Sequence, residues 1–175
     1  MKKDLAIIGG LFLAVAVLVI FGRQFTSSQF ISPTGQGEAT RQAQKKDTTS
    51  VILGDLKIEA TVVDNADERK KGLSEKEDLA ISSGMLFVFE KSDTYAIWMK
   101  NMKFPIDIIW IDGLPTGEKK IVDIAQNATA EPGKNDEELK IYRPKSPARY
   151  VLEVNAGLSK LHNLQVGDTV NFELQ

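Results

Sequence analysis

The sequence predicts a mainly β domain with short helices, a β-rich α+β chain closed as an antiparallel barrel or folded as a sandwich, behind an N-terminal transmembrane helix. Three observations carry that expectation. From about Ser50 onward the apolar runs are short, rich in aromatic and β-branched residues, and broken by Gly, Pro, Asn and Asp. The densest stretch, Gly84–Asp112, holds both tryptophans and three of the four methionines. The one long apolar run, Leu5–Phe21, lies near the N-terminus and carries no charge.

Composition narrows the chemistry. The chain has 175 residues, of which 42% are hydrophobic and 26% charged, and its net charge of −2 sets up no field that would recruit nucleic acid. Cysteine is absent, which excludes disulfides, thiolate nucleophiles, Cys-ligated zinc and iron–sulfur clusters. A single histidine, His162, excludes any site needing two imidazoles. Oxygen-ligated calcium or magnesium stays compatible, but no cofactor is expected.

Taken in order, Leu5–Phe21 spans about 26 Å as a helix, slightly short of a hydrocarbon core of about 30 Å. An uncleaved anchor is favoured over a cleaved signal peptide, because GRQFTSSQF offers a poor small-residue exit site. A buried soluble helix is the remaining alternative. Lys2 and Lys3 favour a cytoplasmic N-terminus with the bulk of the protein outside the cell membrane, although Arg23 weakens the asymmetry. The expected organisation is therefore an anchor over residues 1–23, a flexible linker over 24–49 and a β domain over 50–175. The linker is expected because its Ser, Thr, Gln, Gly and Lys bury too little to offset ordering entropy.

Within the domain, Val51–Leu53 and Leu56–Val63 read as a hairpin turned at Gly54-Asp55, the second strand alternating apolar and polar residues. Asp64 or Asn65 can cap a helix over Ala66–Lys71 that ends at Gly72. Ser74 with Glu77 marks a second capping box. Met85–Phe89, Tyr95–Lys100 and Ile106–Ile111 are expected as an antiparallel meander. Strands at Lys120–Ala125, Tyr150–Val154 and Thr169–Leu174 follow, with a short helix at Ala156–His162 capped by Asn155. Gln126–Ala148 is polar and Pro-interrupted, long enough to be a binding loop.

These blocks resemble a known family. RKKGLSEKEDLAISSGMLFVF, IWMKNMKFPIDIIWID, YVLEVNAG and VGDTV are similar, in that order, to the domain of unknown function 192. That family's pattern runs Gly-Leu-Met, Gly-Met-Leu-Phe-x-Phe, Phe-Trp-Met-Lys-Asn-Thr, Pro-Leu-Asp and Leu-Glu-x-x-x-Gly, then Gly-Asp. The chain departs from it at Ser74 (usually Met), Ile97 (Phe), Met102 (Thr) and Ile106 (Leu). The resemblance implies a compact β fold of jelly-roll-like character, often behind an export segment, and no established activity.

The residues that could carry chemistry cluster in two of those blocks. Lys100 and Asp107 stand among Trp98, Met99, Ile106 and Ile108, where charges are costly unless paired. One reading is a Lys100–Asp107 ion pair with Asn101 bonding to the turn backbone. The other makes Trp98, Lys100, Asn101 and Asp107 the walls and floor of a pocket for a small molecule or glycan. Glu153, in an otherwise apolar strand, either faces solvent by alternation or answers Lys100 or Arg149. Asp107, Asp112, Asp123 and Glu153 could also supply a glycosidase-like carboxylate pair. His162 is expected as a helix cap, and Met85, Met99 and Met102 as core filler. The functional expectation is thus a membrane-tethered, extracytoplasmic binding module, with the enzyme question left leaning to no. The alternatives are an envelope protein-interaction domain docking through the 126–148 loop, and a carboxylate-dependent hydrolase.

Overall fold

The computed structural model describes residues 47–114 and 116–174. The apolar run Leu5–Phe21 and the linker up to residue 46 lie outside the described residues. Among the described residues no helix is long and apolar enough to cross a membrane.

The domain is mainly β. Strands β1 (Thr48–Leu53) and β2 (Leu56–Val63) form the expected hairpin around Gly54, and the alternation of Leu56, Ile58 and Ala60 with Lys57 and Glu59 puts the apolar set inside. Helix α1 (Ala66–Lys71) starts at Asn65, whose side-chain oxygen accepts from the Glu68 amide at 3.0 Å. It ends at Gly72, with φ of 51°, where a side chain would be strained. Then come β3 (Ser83–Asp93), β4 (Ile97–Trp98), β5 (Ile106–Gly113), β6 (Lys119–Ala128), a 3-10 turn (Asp136–Glu138) and β7 (Ile141–Tyr142). Strand β8 (Ala148–Asn155), helix α2 (Leu158–Leu161) and β9 (Thr169–Asn171) complete it.

Seven of these strands close a barrel in the order β1-β2-β3-β8-β5-β6-β9, and β4 with β7 makes a separate two-stranded ribbon. The expected meander does not form. Strand β3 pairs with β2 and β8, and β5 pairs with β8 and β6, so β8 lies between two strands that precede it by tens of residues. The sheet is mostly antiparallel, as expected, with one exception. β2 and β3 run parallel over Glu59↔Ser83 to Val63↔Phe87, with α1 and the loop after it as the crossover.

The physical reason lies in the side chains. Strands β3, β5 and β8 are apolar on both faces (MLFVF, IDIIWI, YVLEV), so each needs cover on both sides. Leu86, Ile109, Ile111, Leu152 and Val154 fill the barrel interior. Met85, Phe87, Ile108, Trp110 and Val151 point outward into a second apolar cluster. The ribbon covers it, burying Ile97 and Met99 there, and the Trp110 indole donates to the Tyr95 carbonyl at 3.1 Å.

Two local expectations are replaced. Residues 74–80 form no helix, and Ser74 bonds the Lys71 carbonyl instead of capping a new turn. Asn155 does not cap α2; its amide donates to the Leu79 and Ala80 carbonyls at 2.9 and 3.1 Å, tying the crossover loop to β8.

Candidate functional site

On β8 the pleat sends Tyr150, Leu152 and Val154 inward and Val151 and Glu153 outward. Glu153 stands opposite Met85 on one side and Ile108 on the other, both buried. It is itself only 5% exposed and takes no hydrogen bond from any described residue. Burial alone pushes its carboxyl up from the ordinary 4.5 to about 8, so the group is neutral at pH 7. Neither sequence reading of Glu153 holds: it does not face solvent, and it is paired with neither Lys100 nor Arg149, which donates to the Phe89 carbonyl.

Glu153 opens onto a cleft of about 510 Å³ on the outer face of the barrel. One wall is α1 and its exit, with Arg69, Lys70, Lys71 and the buried Leu73. The opposite wall is the ribbon and the turn after it, with Trp98, Lys100 and Asn101. Trp98 is 40% exposed, with the Lys100 ammonium 5.5 Å from its ring centre. Asn101 adopts φ of 56°, a left-handed turn position that Asn tolerates better than most residues. Lys100 forms an ion pair with Asp136 of the 3-10 turn, which closes one end of the cleft. Four of the five residues singled out from sequence, Trp98, Lys100, Asn101 and Glu153, therefore share one cavity.

Asp107 is the exception. Being next in register to the outward Ile108, it faces the barrel interior and is wholly buried. Its Oδ2 accepts from the Gly157 and Ser159 amides at 3.0 and 2.9 Å and from the Ser159 hydroxyl at 2.6 Å. Its Oδ1 accepts from the Asn127 amide at 2.8 Å. These bonds cap α2 and pin β6 at the end of the barrel. The expected Lys100–Asp107 pair is absent because the two side chains lie on opposite faces of the barrel wall.

The remaining carboxylates are engaged elsewhere. Asp123 accepts from the Ile124 and Lys145 amides at 2.9 and 2.8 Å, holding the segment after β7 against β6, and Asp112 accepts from the Ser92 hydroxyl at 2.5 Å. His162 ends α2 with its ring 2.9 Å from Asp55. Among the described residues no group of three metal-ligating side chains comes together. Sequence reasoning missed the α1 wall: the Arg69-Lys70-Lys71 run was read only as a helix end, although a basic triplet before a Gly turn was visible.

A closed seven-stranded barrel with a lateral cleft roofed by a small ribbon defines a class of compact β domains. The chain belongs to the DUF192 family, described as uncharacterized ACR, whose pattern matches residues 49–172. No curated protein matches it. Among solved structures, a candidate transcription regulator from Sinorhizobium meliloti 1021 is 27% identical with a TM-score of 0.60, over 73% of this chain and 93% of that one. A protein of unknown function from Novosphingobium aromaticivorans DSM 12444 is 26% identical with a TM-score of 0.58, over 72% and 84%.

Proposed function

We propose that the domain is a binding module for a small polyhydroxylated ligand, a saccharide or similar glycan unit, seated in the cleft beside Glu153. The observation that carries this reading is the neutral, unpartnered Glu153 carboxyl at the floor of an open cavity. The Glu153 oxygens reach the cleft instead of being sealed in the core, so an entering ligand can meet them. A protonated carboxyl both donates and accepts, which suits a hydroxyl. Trp98 offers a ring face to a sugar, while Lys100 and Asn101 supply further donors at the wall. The sequence blocks around Trp98–Asn101 and Glu153, which carry the family resemblance, meet at this cavity.

The hydrolase alternative finds no support in the carboxylates first considered, since Asp107, Asp112 and Asp123 are spent on backbone or hydroxyl donors away from Glu153. The regulator description of the Sinorhizobium protein is not carried over, because a net charge of −2 is poorly suited to a phosphate backbone. Anchoring through Leu5–Phe21, with the domain outside the cytoplasmic membrane, is part of the proposal and rests on the sequence. Recovery of the protein in the membrane fraction after alkaline extraction would support it, and release into the soluble fraction would sink it.

The binding test is a thermal-shift and calorimetry screen of the full-length protein against neutral, acidic and amino sugars. A ligand at a hundredfold excess over its Kd raises stability by about 2.7 kcal/mol. Trp98→Ala is expected to weaken that ligand about tenfold while leaving the fold intact. If no sugar shifts the melting temperature, the saccharide reading fails.

A further inference from the structure

The charges around the cleft specify more than a hydroxyl-rich ligand. Four basic side chains line it, Arg69, Lys70, Lys71 and Lys100, against three acidic ones besides Glu153, Asp67, Glu75 and Asp136. Two of those carboxylates are already committed, Glu75 to Lys71 at 2.5 Å and Asp136 to Lys100. Arg69 donates to the Asp64 and Val88 carbonyls, so its guanidinium is held by backbone and not by a carboxylate. Lys70 has no ion-pair partner among the described residues. The fourth acidic side chain, Glu153, is nine-tenths buried and unpartnered, and it offers an O–H at the floor instead of a negative charge. A cationic ligand would enter against an excess of positive charge. A neutral one would leave Lys70 unused.

We propose that the ligand is an acidic saccharide, a sugar bearing a carboxylate or a phosphate, with its anion held at the Lys70 rim and a ring hydroxyl or acid oxygen on Glu153. This rests on the saccharide reading above and narrows it. The low exposure of Glu153 gives the contact its direction: the neutral carboxyl donates to the ligand, and ionising it would place a negative charge beside an anion in a poorly solvated site. The groups facing Glu153 across the cleft are Asp67, Arg69, Lys70, Lys71 and Glu75 from the α1 side, with Lys100 and Asp136 from the ribbon side. β3 and β5 present apolar side chains on this face, Met85, Phe87 and Ile108.

The test is titration of the full-length protein in detergent with glucose, glucosamine, glucuronate, glucose 6-phosphate and inorganic phosphate. It is read by tryptophan fluorescence, with Trp98→Phe as the signal control. The expected result is that glucuronate or glucose 6-phosphate binds at least tenfold tighter than glucose. That advantage should shrink with added salt and be lost in Lys70→Glu, a change at an exposed position that leaves the core alone. Affinity should also fall between pH 7 and 9, and this fall should vanish in Glu153→Gln. Equal or tighter binding of glucose or glucosamine overturns the acidic-sugar inference and leaves the saccharide reading standing. Inorganic phosphate binding as tightly as glucose 6-phosphate overturns both, as does no binding by any probe.

Discussion

Glu153 and Asp107 stand on neighbouring strands one register step apart, yet the pleat sends them to opposite faces and gives them opposite roles. Glu153 keeps its proton up to pH of about 8 in the fold but only to about 4.5 once unfolded. Folding therefore takes up a proton between those values, so the stability present below pH 4.5 declines as pH rises and is fully lost above 8. At about 1.4 kcal/mol per unit, the penalty reaches roughly 3 kcal/mol at pH 7. Glu153→Gln, which cannot ionise, is expected to raise stability by that order at pH 7 and to flatten the pH profile. Urea melts at pH 5, 7 and 9 would show it, and an unchanged profile would refute it. Asp107→Asn puts an amide hydrogen against donors that now meet an acceptor, and is expected to lose about 3 kcal/mol. Because Asp107 is not in the cleft, the variant should keep its ligand affinity. The sequence showed that both acids sit in apolar strands. It did not show which was structural, because the amides that hold Asp107 lie 20 to 52 residues away along the chain.

At the scale of elements, the hairpin β1–β2 and helix α1 were legible because their signals are local: alternation, an Asn cap and a Gly stop. The meander was not, because strand identity is local but strand pairing is decided by which partners cover both faces. Tyr95–Lys100 was expected in the main sheet. It became a two-residue ribbon strand because Ile97 and Met99 find their apolar cover on the outer face of the barrel. At Gly84, β3 passes closely between β2 and β8. A side-chain carbon there would lie 2.8 Å from Ile58 Cγ2 and 2.9 Å from the Glu153 carbonyl oxygen. The carbonyl belongs to a paired strand and cannot retreat, so Gly84→Ala is expected to lose about 2 kcal/mol. The same shift would move Glu153, so ligand affinity should fall with stability in this variant alone among the core changes. The Lys100–Asp136 pair is half exposed, and Asp136→Asn is expected to change stability by less than about 1 kcal/mol.

At the scale of the molecule, closure rests on a narrow seam. Strand β9 meets β1 through Ile52↔Asn171 and Leu53↔Val170, and meets β6 through Lys119↔Val170 and Lys120↔Thr169. Strand β8, by contrast, is registered with β5 over six pairs. Native-state hydrogen exchange should therefore find β9 and its contacts opening well before β8, and uniform protection around the barrel would contradict this. The place of β8 carries a further consequence, which concerns how the protein is made. Its two neighbours, β3 and β5, leave the ribosome first, each apolar on both faces and each with an edge that only β8 can occupy. Until residue 155 has emerged, two sticky strands wait with their amides unpaired, the condition in which chains join to one another. A chain ending at residue 147 should be recovered as aggregate, and its synthesis should depend on a holding chaperone in a way that the complete chain's does not.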